Sequence, residues 1–162
     1  VPMVMQVATL RSIFHVMREK PRITTIHSYA ACGEVLELLA ESRLPGVVLH
    51  WWLGTPTQTA EAVRLGCYFS VHPAMLRRGN RLGGIPFERL LTETEHPFGD
   101  RTPGFRPRPG QVATVENALG AMHGRFPEDV RVQMWRNLRS LVATTLVGGL
   151  LPSEIRGHLA AV

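Results

Sequence analysis

The sequence predicts an α/β chain of parallel βα units, which is either half of a (β/α)8 TIM-type barrel or a small open sheet. Three observations lead there. Short apolar, β-branched runs begin near positions 23, 47, 67 and 88, each followed by a helix-length or loop-length stretch, and parallel neighbours need such crossovers. The runs are almost continuously apolar, as in strands buried on both faces. Each run also hands a histidine or an acid to its carboxyl end, where parallel α/β proteins assemble their active sites.

In chain order, Val7, Leu10, Phe14 and Met17 fall at helical spacing and stop at Glu19-Lys20-Pro21, so an amphipathic helix opens the chain. Ile23 to Ile26 is the first strand and delivers His27-Ser28. A helix from about Ala30 to Ser42 follows, with Val35, Leu36, Leu38 and Leu39 inward, closed by Pro45-Gly46. Val47 to Leu49 is the second strand and delivers His50-Trp51-Trp52. Gly54 and Pro56 break the chain, Thr57 caps a helix to Leu65, and Gly66 ends it. Cys67 to Val71 is the third strand and delivers His72-Pro73. An arginine- and glycine-rich loop leads to the fourth, entered from Ile85-Pro86-Phe87, and Pro97 ends it because proline cannot continue a ladder. A loop from Phe98 to Gly110, dense in Pro, Gly and Arg, has the length of a functional loop. Helical stripes follow at Val112 to Met122, from Pro127 through Leu141, and from Pro152 to Ala161. No linker splits residues 1–162, which read as one domain.

Composition narrows the class. With 44% hydrophobic and 19% charged residues in 162, the chain can bury a core of ordinary globular kind. The formal charge of +5 is almost wholly arginine, Lys20 being the single lysine. Arginine's planar fork suits phosphate, so an anionic partner is favoured, although biased genomic composition explains the excess equally well. Cys32 and Cys67 have neither CxxC nor metal spacing, which fits a reducing compartment, by default the cytoplasm. The longest apolar run, Leu141 to Leu151, is too short to span a bilayer and no leader opens the chain. Val1 to Gln6 reads as the middle of something, so an amino-terminal part is expected to precede it.

The candidate chemistry lies in Leu90-Leu91-Thr92-Glu93-Thr94-Glu95-His96-Pro97 together with His27 and His50. Imidazoles and carboxylates brought to one end of a sheet are what divalent hydrolytic centres use. His72 and His96 read first as structural histidines and otherwise as substrate contacts. Arg77, Arg78 and Arg81, like Arg101, Arg106 and Arg108, are either a solvated loop or contacts to a phosphate backbone. Trp51 and Trp52 are placed to stack a base or line a pocket, with one of the two filling the core. No G-x-S-x-G occurs, which disfavours serine-hydrolase chemistry.

Four segments resemble one family in order and spacing. Thr25-Ile26-His27-Ser28-Tyr29-Ala30-Ala31 is similar to the strand-five histidine motif of the TatD-like metal-dependent hydrolases, and Gly46-Val47-Val48-Leu49-His50-Trp51-Trp52-Leu53-Gly54 to their strand-six HxxxG segment. Leu65 to Ser70 looks like strand seven, Leu90 to Pro97 looks like the LLxETDxP strand eight, and Glu116-Asn117-Ala118 looks like the late helix. The resemblance implies that the chain covers strands five to eight, the second half of a (β/α)8 barrel.

It further implies a centre of one or two divalent ions (Mg, Mn or Zn) opening onto a DNA groove, where metal-activated water attacks a phosphodiester. His27, His50 and Glu95 would be metal ligands, Glu95 also being the catalytic carboxylate that takes the water's proton, and Glu93 would support them from behind. Trp51, His72, Arg77, Arg78, His96 and Arg101 would meet the substrate. Glu95 stands where the family has aspartate, and no H-x-H pair occurs, so that pair and the fourth-strand glutamate belong to the part expected upstream. The rival readings are an amidohydrolase acting on a small substrate, and a degenerate barrel serving as a scaffold or DNA-binding subunit with protein partners, as relatives encoded beside phage-defence genes suggest.

Overall fold

The computed structural model describes residues 1–76, 82–96 and 108–162. Helix α1 (Met3–Glu19) buries Phe14 and Met17 and ends ahead of Pro21, as the periodicity predicts. Three βα units follow: β1 (Thr24–His27), α2 (Cys32–Ser42), β2 (Val47–His50), α3 (Pro56–Arg64), β3 (Tyr68–Val71) and the short α4 (Pro73–Leu76). A 3-10 turn at Phe87–Arg89 enters β4 (Leu90–Thr92), and α5 (Ala113–His123), α6 (Pro127–Thr145) and α7 (Ser153–Ala160) complete the described chain.

The four strands form one parallel sheet in the order β1-β2-β3-β4. Sequence neighbours thus lie side by side, as crossover helices require. Register sets which side chains share a face, because side chains alternate along a strand and paired residues point the same way. Ile26, Leu49, Phe69 and Leu90 lie at one level, and they enter the main core with Phe14 and Met17 of α1 and Val35, Leu36, Leu38 and Leu39 of α2. On the opposite face Val48 and Tyr68 pack with Leu141 of α6, joined by half-buried Ile23, Leu91 and Leu138. Each fully buried aliphatic or aromatic side chain of these layers contributes about 1.5–3 kcal/mol. The sheet is therefore covered on both sides, and α6 lies over the row of Val48 and Tyr68. One step along the strands, the same face carries His27, His50 and Ser70 in register.

The contact of α6 with the sheet depends on two local features. Gly46 sits at φ 83°, and a Cβ there would lie 2.2 Å from Thr145 Cγ2, so only glycine lets the end of α6 approach the entry to β2. At the other side of the sheet, buried Asn137 donates from Nδ2 to the carbonyls of Phe87 (2.8 Å) and Leu90 (2.7 Å). Those carbonyls flank the start of β4, so a side chain of α6 takes the place of ladder partners.

Several boundaries differ from the sequence reading. The cap of α3 is Thr55, not Thr57: its hydroxyl accepts from Gln58 N while the Gln58 side chain accepts from Thr55 N, with Pro56 in the first turn. This is the T-x-x-Q capping box. Strand β4 begins only at Leu90, because Pro86 has no N–H and Arg89 N bonds back to Pro86 O. Helix α2 starts at Cys32 because Ala30 adopts φ 53°. The stretch after His72, read as loop, opens with α4.

Candidate active site

The carboxyl ends of the strands bring the candidate residues to one place. His27 ends β1 and His50 ends β2, paired in register, and their ring centroids are 5.4 Å apart. Ser70 lies opposite His50 on β3. Beyond β4, Glu93 N bonds to Val71 O, which extends the parallel contact by one residue and directs the carboxylate inward.

His50 is the hub. Its Nδ1 lies 2.5 Å from Glu93 Oε2, and its Nε2 contacts Glu95 Oε2. Carboxylate oxygens on both sides of the ring favour its doubly protonated form, since a carboxylate accepts hydrogen bonds from imidazole N–H groups. The hydrogen bond to Glu93 holds the His50 pKa above its ordinary value of 6.5, burial opposes that rise, and the charges of Glu93 and Glu95 add to it. Glu93 Oε2 also accepts from Ser70 Oγ. Its second oxygen, Oε1, is buried and has no hydrogen-bond partner among the described residues. Such an atom is a position for a cation, a water or another donor.

Backbone strain gathers here. Five non-glycine described residues have positive φ: Ala30 (53°), Arg43 (49°), Trp51 (44°), Glu95 (50°) and Leu146 (56°). Arg43 and Leu146 are left-handed caps that end α2 and α6, where that conformation is expected. The other three follow the ends of β1, β2 and β4. Each costs on the order of 1–3 kcal/mol and persists where the surroundings fix it, commonly at functional sites.

Trp51 and Trp52 divide their work. Trp52 is 1% exposed, donates from Nε1 to Thr59 Oγ1 at 2.9 Å and packs edge-on to Phe69, so it is the core-filling member. Trp51 is half-buried. It stacks on His72 at 4.4 Å between centroids and meets His27 at 6.5 Å edge to face. His72 is 0% exposed, and its Nδ1 accepts from Ala74 N at 3.0 Å. Accepting there fixes the proton of a neutral ring on Nε2. It is thus a platform beneath Trp51.

His96 is exposed. Arg77, Arg78 and Arg101 lie outside the described residues. Sequence reasoning missed Ser70, whose signal is a lone hydroxyl in an apolar strand, legible only once the register places it opposite His50. Glu93, expected behind the ligands, contacts His50 Nδ1 and has the less exposed side chain of the two acids, 9% against 26%.

The donor types suit a divalent ion, since imidazole nitrogen and carboxylate oxygen are its usual ligands, and the orphaned Glu93 Oε1 marks a place where one more partner belongs. Among the described residues no group of three or more His, Cys, Asp or Glu side chains is arranged to hold a metal ion. At His50 both ring nitrogens face carboxylate oxygens, and a metal ion would need the lone pair of one of them.

The chain places imidazoles and carboxylates at the carboxyl ends of a parallel sheet, the end at which parallel α/β proteins assemble their active sites. Comparison with known proteins makes this specific. The chain belongs to the TatD-related DNase family, whose model matches residues 2–143. TATDN3 of Mus musculus is 28% identical over 136 residues, 82% of this chain and 46% of that protein. Deoxyribonuclease TATDN3 of Homo sapiens is 27% identical over 108 residues, 65% and 39% respectively. The 3'-5' ssDNA/RNA exonuclease TatD of Klebsiella pneumoniae (strain 342) is 26% identical over 137 residues, 76% and 52%. The chain thus spans about half the length of the curated relatives it matches. Among the described residues no helix is long and apolar enough to cross a membrane.

Proposed function

We propose that these residues form strands five to eight of a (β/α)8 barrel and serve a metal-dependent phosphodiesterase that hydrolyses DNA. The reading rests on one observation above all: His27, His50, Glu93 and Glu95, separated by up to 68 positions in sequence, meet at the carboxyl ends of a parallel sheet. His27, His50 and Glu95 would hold the ion, and Glu93 with Ser70 would fix the His50 ring. When bound, such an ion supplies a water acidic enough to attack at neutral pH. His50 must first give up the proton it shares with Glu95, so proton and ion compete for one nitrogen. The abundant arginines suit the phosphate backbone, and two unpaired cysteines suit a reducing compartment such as the cytoplasm.

The test is cleavage of labelled DNA by the wild-type chain, Glu95→Asp and Glu95→Ala, with folding checked by circular dichroism. Glu95→Asp keeps or raises activity and Glu95→Ala loses about a hundredfold or more, the scale on which a displaced group costs rate. Equal rates in all three discard the assignment. A steep loss of rate with added salt separates DNA from a small amidohydrolase-type substrate. The closed His50 contacts favour a second reading, a non-catalytic subunit that binds DNA or protein partners. Tightly bound divalent ion at one or two equivalents per chain would rule it out.

A further inference from the structure

We infer that Trp51 recognises a nucleobase: its indole offers a stacking surface beside the His27–His50 cluster, so the site grips a base as well as a phosphate. The inference rests on the nucleic-acid reading above and adds what part of the substrate this chain holds. Three observations converge on Trp51. It is a bulky residue at φ 44°, a conformation that glycine, asparagine or aspartate adopts more easily. That backbone turns the side chain back over the strand ends, between His72 at 4.4 Å and His27 at 6.5 Å. The adjacent Trp52 is buried, hydrogen-bonded and occupied in the core, while Trp51 packs at the margin of that core and stays half-buried.

The support under Trp51 matters as much as its position. The His72 ring lies 27° from parallel to it and is itself fixed by the Ala74 N–H and buried completely. An indole backed in this way loses little freedom on receiving a further flat ring, which lowers the entropic cost of binding. Stacking tolerates every base, because each has a π-face. Trp51 therefore contributes affinity for the base without selecting sequence, and holds the adjoining phosphate near the imidazoles.

Equilibrium binding of two labelled strands tests this, one an octamer of thymidines and the other an abasic backbone of equal length, under conditions that block cleavage. Wild-type protein binds the base-bearing strand roughly tenfold to a hundredfold more tightly, the span of one base stacked on an aromatic ring. Trp51→Phe keeps most of that ratio. Trp51→Asn brings it close to one, and asparagine tolerates the left-handed backbone, so the variant stays folded. A ratio that survives Trp51→Asn overturns this inference alone. Failure of the wild-type chain to bind either strand overturns the nucleic-acid reading and this inference with it.

Discussion

His50 Nδ1 lies 2.5 Å from Glu93 Oε2, and that pair, with Glu95 on the far side of the ring, decides the charge state of the site. Because the folded pKa of His50 is raised above 6.5, folding binds a proton that the unfolded chain holds less tightly. The stabilisation is fully present below pH 6.5 and is lost as pH climbs through the folded pKa. The melting midpoint of the wild-type chain accordingly falls on going from about pH 6 to the slightly alkaline range, by about 2–4 °C for each kcal/mol lost. Glu93→Gln removes one of the two carboxylates that favour the imidazolium and flattens the slope. A midpoint that is level or rises over that interval would show that the contact does not fix the proton.

The strands, their parallel order and the convergence of His27, His50 and Glu95 were legible in the sequence, because apolar β-branched runs and the residues that close them leave a local mark. What was not legible depends on register and on packing. Nothing near Ser70 announces that it faces His50, and nothing near Asn137 announces that its amide serves Phe87 and Leu90, some fifty positions earlier. The positions of Trp51 and Glu95 turn on positive φ, which neither residue type signals. The Thr55 cap is a different case. Its T-x-x-Q spacing was on view, two residues ahead of Thr57.

The two cysteines differ sharply in what surrounds them. Cys67 is 2% exposed at the entry to β3, and burial pushes its pKa up to about 12, with Arg89 opposing only weakly. It stays a thiol, and the thiolate is the reactive form. Cys32 opens α2 and is half-buried. An aromatic disulfide reagent at pH 8 therefore titrates one thiol per native chain and two after denaturation, and Cys32→Ser abolishes the native reaction. Two fast equivalents in the folded protein would contradict the burial of Cys67.

Gly54 is held by the shape of Trp52. A Cβ at Gly54 would lie 2.1 Å from Cζ2 and 2.5 Å from Cε2 of that indole, and the ring is held in place, because Nε1 is bonded to Thr59 and Phe69 packs against it in a T-shaped pair. Gly54→Ala therefore costs about 1–3 kcal/mol, the usual toll of an overfilled core, and lowers the melting midpoint by several degrees. Gly157 supplies the contrast: nothing lies within 4 Å of a Cβ there, it sits inside α7, and Gly157→Ala raises stability by about 0.5–1 kcal/mol through helix propensity. Parallel melts of the two variants carry the comparison. If Gly54→Ala melts with the wild type while Gly157→Ala gains as expected, Trp52 is freer than its contacts imply.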